Sequence, residues 1–355
     1  MQRAFASDKW AHAYIFAGLE GVGKFKTARE WAKLLLCTDP IVEDSFADSC
    51  GSCQSCRLFE TGSNPDFNHV YKELLEYTKD NKDKKTPVDL PIDVIREFLI
   101  AKVSTRPTLC RRKVFVVSEA EKLNASSQNC LLKVLEEPPG YCSIVLLCTR
   151  LEKLLPTIKS RCQTVRFGPI DESRTVEKLQ SMGLDGDPSR YFARLAQGSL
   201  GAAGKWAQLE LAGADLYEIK KRILASLARY EFADALDLAQ DLLADCKKIA
   251  DKWADLDEAT SRTDINRRAM GTVIAMIVSA LHDAMRLDAA PAREPVNFDQ
   301  KEQIRELAAR FDAELAAEKI AECYRMLGWI ESSVNEKLIF EQLLLNLADS
   351  DTIKV

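Results

Sequence analysis

Ala17-Gly18-Leu19-Glu20-Gly21-Val22-Gly23-Lys24-Phe25 decides how the amino-terminal half of the chain folds. The apolar run Tyr14-Ile15-Phe16-Ala17 leads into it and reads as a buried strand; residues 27–36 follow it and read as a helix. Strand, glycine-rich loop and helix form the setting of a phosphate-binding loop. Gly18, Gly21 and Gly23 let backbone N–H groups turn inward around an anion, and Lys24 reaches for the terminal phosphates. The helix N-terminus adds its partial positive charge. The following position breaks the pattern. Such loops carry Ser or Thr after the lysine, whose hydroxyl holds Mg²⁺; here it is Phe25, which offers no oxygen to a hard cation. The loop is therefore expected to hold ATP or ADP weakly, with Mg²⁺ poorly retained.

The second half of a phosphate-loop ATPase is an acidic pair at the end of a later strand, one acid serving the metal and the other the attacking water. The matching stretch is Val114-Phe115-Val116-Val117-Ser118-Glu119-Ala120-Glu121. Glu119 stands where the water-polarising acid belongs, a relic of catalysis, and Ser118 replaces the metal-side acid. The plainer account of Glu119 is an acid favoured at a helix N-terminus. Phe25 and Ser118 are losses that act on the same ion, so hydrolysis is not expected to be this chain's task.

A length of 355 residues suggests two or three domains. Hydrophobic residues at 46% and charged residues at 29% indicate an ordinary globular protein. A formal net charge of -5 gives no support for nucleic-acid binding across the whole surface. No apolar run is long enough to span a membrane and the first residues lack a signal-peptide core, so the cytoplasm is the expected compartment. Eleven cysteines make a disulfide framework improbable for such a chain. Cys37, Cys50, Cys53 and Cys56 are clustered, the last three in a Gly/Ser-containing loop. Thiolates spaced this way converge on one tetrahedral ion, and four of them leave no open position. A structural Zn²⁺ is expected; four free thiols are the alternative, and an iron–sulfur cluster is disfavoured because nothing else suggests electron transfer.

Short apolar runs at 14–17, 69–71, 114–117, 144–148 and 164–167 read as strands of a parallel sheet. Ile92, Ile95, Phe98 and Leu99 have helical spacing, as do Leu131, Leu132 and Leu135, the latter helix stopped by Pro138-Pro139. The charged stretch 76–91 reads as an exposed loop whose lysines could meet DNA or a partner. Residues 170–205 suggest a small helical unit ending near Gly198-Ser199-Leu200-Gly201. Beyond Asp215 the chain is helical, with stripes at Leu216, Ile219, Ile223 and Leu227, at Ile274, Ile277, Val278, Leu281 and Met285, and from Ile330 through Val334 to Leu338. Pro291 and Pro295 mark a linker there. The fold class is thus α/β, a P-loop domain with a parallel sheet followed by helical parts. Finally, Ser160-Arg161-Cys162 lies between two strands; an arginine at such an edge can complete a neighbour's ATP site, although an arginine in a loop is ordinarily a surface charge.

Several motifs together resemble the bacterial clamp-loader family of AAA+ proteins. They are His12-Ala13-Tyr14-Ile15-Phe16, the four cysteines, Leu131-Leu132-Lys133-Val134-Leu135-Glu136-Glu137-Pro138-Pro139, Ser160-Arg161-Cys162 and Val334-Asn335-Glu336-Lys337-Leu338. The family includes the gamma/tau and delta-prime subunits of DNA polymerase III. Phe25, Ser118 and the arginine-free segment Gly198-Ser199-Leu200-Gly201-Ala202-Ala203 are similar to the delta-prime branch rather than the gamma/tau motor. The resemblance implies an AAA+ domain over 1–169 with an inserted zinc module at 37–56, a helical lid at 170–208, and a helical collar at 209–355. It implies Arg161 as an arginine finger acting in trans, and as partners gamma/tau, delta, the sliding clamp and primer–template DNA. No polymerase site stands in this chain, and any polymerase activity would belong to the assembly. The rival is an ATP-hydrolysing gamma/tau-type motor in which Thr27 or Ser118 assists the metal; a third reading is a zinc-stabilised adaptor outside replication.

Overall fold

The structure, a computed structural model, describes residues 1–43, 45–78, 89–229, 231–257, 260–287, 294–331 and 335–348. Most of the charged stretch 76–91, together with Pro291 and Val334, lies outside the described residues. The chain divides into two compact units, Met1–Pro169 and Ile170–Val355.

The five expected strands all form, in one parallel sheet. They are β1 (Ala13–Gly18), β4 (Phe67–Val70), β5 (Lys113–Val117), β6 (Cys142–Cys148) and β7 (Gln163–Phe167), in the order β4-β5-β6-β1-β7. Successive side chains of a strand point to opposite faces, and here both faces are covered. Ile15, Phe115, Val117, Ile144 and Leu146 enter one apolar core; Tyr14, Phe16, Val114, Val116, Val145 and Leu147 enter the other. That double burial is why β1, β5 and β6 read as unbroken apolar runs. The helix Lys24–Leu36 packs Ala28, Trp31, Ala32 and Leu35 into the second core. The helix Ala125–Glu136 packs Leu131 and Leu135 into the first and ends just before the proline pair.

Three details differ from the sequence expectation. A short antiparallel hairpin, β2 (Ile41–Glu43) with β3 (Phe46–Asp48), stands between Cys37 and Cys50. Its side chains are mostly exposed, so no burial pattern announced it. Cys56 is not in a loop but on the helix Gln54–Glu60, which Cys53 caps. The helix beginning at Ile92 contains a wider π turn, Arg96–Ile100, before closing at Ala101–Val103. Its buried residues Ile95, Leu99 and Val103 recur every fourth position, a period longer than 3.6, and the wide turn keeps all three on one face.

The second unit is helical among its described residues. Three helices, Glu172–Ser181, Gly186–Leu195 and Leu200–Leu209, come first, and Ser199 caps the third by accepting the Ala202 N–H at 3.2 Å. The segment read as an end near Gly198 is therefore a helix start. Wider turns at Glu210–Ala214 carry the chain to a break at Gly213, and Leu216–Arg229 follows. The remaining helices are Ala235–Leu256, Arg262–Arg286, Lys301–Arg310, Ala313–Glu331 and Glu336–Ala348. The first two stripes pack into one core that runs from Leu179 to Leu347. The third does not hold: Ile330 is buried, but Leu338 is 58% exposed. A new helix starts at Glu336, so its phase is set afresh and Ile339, Phe340, Leu343, Leu344 and Leu347 form its inner face.

The polar anchor of this unit is Asp299. Its carboxylate accepts from the buried Lys220 ammonium and, at 2.7 Å, from the Tyr217 hydroxyl. Burial works against the charge on Asp299, but these two donors hold its carboxyl below the usual range. Asp299→Asn should destabilise the unit by about 2 kcal/mol, because a buried ammonium loses its counter-charge. Denaturant unfolding checks this; a midpoint unchanged from wild type would show that Lys220 needs no anion.

Candidate functional site

The carboxyl ends of β1, β4, β5 and β6 carry the expected loop and acids. Gly18 closes β1 where a side chain has no room: a Cβ there would lie 2.4 Å from the Phe167 carbonyl oxygen. Its glycine thus serves strand packing as well as the loop. Gly23 caps the following helix at φ +94°, a left-handed conformation costly for any residue with a Cβ. Lys24 folds back into its own loop and donates at 2.6 Å to the carbonyl oxygens of both Gly18 and Leu19. Burial pulls its ammonium below the ordinary lysine range, opposed by the charges of Glu121 and Glu20 and by Cys148.

The two positions that lost metal ligands meet through a residue the sequence did not single out, His69 on β4. The Phe25 ring lies against the His69 imidazole with centroids 4.6 Å apart, and Tyr71 packs on the same imidazole at 4.8 Å. His69 Nε2 is hydrogen-bonded to the Ser118 hydroxyl at 2.8 Å. Burial lowers the His69 pKa to about 4, so the ring is neutral at pH 7. The metal side of the loop is therefore a phenyl ring, a neutral imidazole and a hydroxyl already engaged. These residues do not fit Mg²⁺, which requires near-octahedral oxygen ligands. Only the strand position of His69, directly opposite Val116 on β5, could have exposed it.

Glu119 sits at φ +51° and pairs with Lys122 at 2.5 Å, part-exposed. Its described partner is that lysine and not the loop. Glu121 is the acid that reaches inward: Thr149, just past β6, donates its hydroxyl to Glu121 Oε1. Arg161 follows the short helix Pro156–Lys159 and is about one-third exposed. It pairs with Glu136 at 2.6 Å and donates at 2.9 Å to the Thr157 carbonyl oxygen. The structure thus gathers Gly18, Lys24, Phe25, Ser118 and Glu121 at the carboxyl ends of the strands, while Arg161 is held by Glu136 and its own turn.

The four cysteines converge. The sulfurs of Cys37, Cys50, Cys53 and Cys56 all lie within 4.8 Å of one another. Cys37 Sγ is 3.6 Å from Cys50 Sγ and 3.9 Å from Cys53 Sγ. Sulfurs at about 2.3 Å from a tetrahedral zinc would be roughly 3.8 Å apart, and a disulfide would bring a pair to about 2.05 Å. The spacing therefore fits a shared ion rather than a bond. Backbone N–H groups of Cys50, Cys53 and Cys56 donate at 3.3–3.4 Å to the sulfurs of Cys37, Cys50 and Cys53 respectively; this favours the thiolate at Cys50 and Cys53, whereas burial pushes the Cys37 and Cys56 thiols up. For Cys53, burial raises the pKa, but hydrogen bonds from Thr38 and Cys56 outweigh it and bring the thiol to about 5. The cluster can hold a metal ion. It also braces the P-loop helix: Cys37 is that helix's C-cap, and Ser55 donates at 2.7 Å to the Leu36 carbonyl oxygen.

Residues 1–171 match the family model described as "DNA polymerase III, delta subunit", and residues 263–349 the one described as "DNA polymerase III, delta subunit, C terminal". The chain is similar to DNA polymerase III subunit delta' of Pseudomonas aeruginosa, 36% identical over 152 residues, covering 43% of this chain and 42% of that protein. With subunit delta' of Bacillus subtilis it shares 30% identity over 195 residues, 55% of this chain and 52% of the relative. With subunit tau/gamma of Haemophilus influenzae it shares 32% over 195 residues, 53% of this chain and 26% of the relative. The chain spans about half the length, or less, of these curated relatives.

Proposed function

Because the chain belongs to the clamp-loader subunits of DNA polymerase III, a delta-prime type within them, we propose that it is a non-hydrolysing member of a clamp loader that assists its neighbours' ATP chemistry. The observation that carries this reading is the Phe25–His69–Ser118 array on the metal side of the loop. Phosphoryl transfer relies on a metal that neutralises charge developing on the phosphates, and this chain has filled that position with rings. The rival motor reading asks Ser118 to assist the metal, and the bond to His69 already engages its hydroxyl.

In this reading residues 170–208 form the lid and residues 209–355 the collar. The partners are gamma/tau and delta, with the sliding clamp and primer–template DNA met through the complex. The four cysteines hold a structural zinc, Arg161 completes a neighbour's ATP site, and the protein works in the cytoplasm. No helix among the described residues is long and apolar enough to cross a membrane. Nucleotide, where bound, is held by the loop backbone and Lys24 with little help from Mg²⁺.

Steady-state ATPase of the isolated chain tests the proposal. Turnover should stay at background, and Lys24→Ala should leave it there. Robust turnover that Lys24→Ala abolishes would replace this reading with the motor. Reconstitution with gamma/tau and delta, followed by a clamp-loading assay, tests the role itself.

A further inference from the structure

We infer that Glu121 sets the nucleotide preference of the altered loop: its carboxylate faces the place of the outermost phosphate, beside Lys24, and makes the site favour ADP over ATP. The inference rests on the reading of this loop as a weak nucleotide site and assigns it a specificity-determining residue.

The geometry runs through two neighbouring strands. β1 and β6 are parallel with Ala17 opposite Cys148, so the next residues, Gly18 and Thr149, emerge side by side at the carboxyl ends of the strands. The Gly18 carbonyl oxygen receives the Lys24 ammonium at 2.6 Å. The Thr149 hydroxyl donates to Glu121 Oε1. Ammonium and carboxylate are thus anchored to adjacent positions at one end of the sheet. Glu121 Oε2 is buried and has no hydrogen-bond partner among the described residues. A carboxylate oxygen so placed is underused as an acceptor, and its field falls on the lysine that would otherwise greet the last phosphate. The same field is visible in Lys24 itself, whose ammonium Glu121 supports more than any other charge does.

Two neighbouring anions repel each other, and the penalty grows with the charge and proximity of the phosphate. ATP extends one phosphate further than ADP toward Lys24 and carries more charge, so it meets Glu121 more fully. The metal that would screen the encounter has no ligands here, because Phe25 and the His69-bound Ser118 occupy its side.

Isothermal titration of the full chain with ATP and with ADP, in magnesium-free buffer, tests the inference. The wild type should bind ADP more tightly than ATP. Glu121→Gln, which keeps the shape and removes the charge, should tighten ATP by about tenfold and ADP by clearly less. Thr149→Val, which removes the anchoring hydroxyl and keeps the charge, should give a clearly smaller gain than Glu121→Gln. Tighter ATP than ADP in the wild type would overturn the inference without recourse to any variant. So would equal gains for both nucleotides in Glu121→Gln, an absence of gain, or the same gain in Thr149→Val. Lys24→Ala serves the separate question: if it leaves all nucleotide binding unchanged, the loop is not the site and the underlying reading fails. If it weakens binding while Glu121→Gln does nothing, only the role of Glu121 falls.

Discussion

Cys53→Ser is expected to release the metal from the four-cysteine site and to lower the stability of the amino-terminal unit by several kcal/mol. Wild-type protein purified without chelators should carry about one zinc per chain, bound through thiolates near 2.3 Å, and the variant should carry almost none. A ligand that binds only the folded state stabilises it by about 4 kcal/mol when present at a thousand times its dissociation constant. In a unit of this size that corresponds to a fall in Tm of roughly 8–16 °C. The chain should nonetheless remain folded, unlike a zinc finger stripped of its ion, because the parallel sheet has two apolar cores built mainly from residues outside the cysteine module.

The loss should also be local in a defined direction. Cys37 terminates the helix Lys24–Leu36, and Ser55 bonds that helix's last carbonyl from the neighbouring Gln54–Glu60 helix. Amide exchange should rise first over residues 34–60 and last in β1 and β6. A chelator should reproduce the variant's Tm in the wild type. Elemental analysis that finds no metal, together with a Tm indifferent to chelator, would leave the four sulfurs as free thiols and sink the prediction.

Where burial patterns the chain, the sequence was readable. The inner strands β1, β5 and β6 are apolar on both faces and were legible as short unbroken runs, while the outer strands β4 and β7 were legible from shorter, mixed runs; the ends moved by no more than a few residues. The cysteine cluster was legible because its chemistry is written in spacing. What escaped was set by geometry that spacing does not record. The hairpin Ile41–Glu43 with Phe46–Asp48 lies on the surface and alternates nothing. The false stripe from Ile330 to Leu338 crossed a helix boundary, and periodicity cannot be carried through a break. At the loop, the loss of Mg²⁺ ligands at Phe25 and Ser118 was plain from residue types alone. That His69 bridges the two could not be seen, because it comes from β4, distant in sequence and brought near by pairing with β5. Glu119 and Glu121 lie two positions apart, and strand context pointed to the first. Only the left-handed backbone at Glu119 shows why the second turns inward: it directs Glu119 toward Lys122 and carries the short helix Ala120–Lys122 beneath β6.

Arg161→Ala, introduced into this subunit alone, is expected to leave folding and assembly of a reconstituted clamp loader intact while lowering its DNA- and clamp-stimulated ATPase and slowing loading. The side chain is partly exposed and its pairing with Glu136 joins two solvent-accessible groups at 2.6 Å. Such a surface pair is worth about 0–1 kcal/mol, so truncation should barely change stability, and releasing the guanidinium toward a neighbour's phosphates costs little. Arginine fingers supply about 10³–10⁵ in rate at the site they serve. Total turnover should fall far less, because only one ATP site of the proposed ring would border this subunit. Arg161→Lys should rescue poorly: lysine keeps the charge but not the planar fork that meets phosphate oxygens in pairs. Glu136→Gln separates the tether from the finger. It loosens the hold on Arg161 without removing it, so activity should be held or raised, whereas a purely structural Arg161–Glu136 pair would make both variants behave alike. Gel filtration confirms assembly, and ATPase and loading are then read on the same complex. Wild-type rates in the Arg161→Ala complex would exclude action in trans and leave the residue as a surface charge paired with the helix Ala125–Glu136.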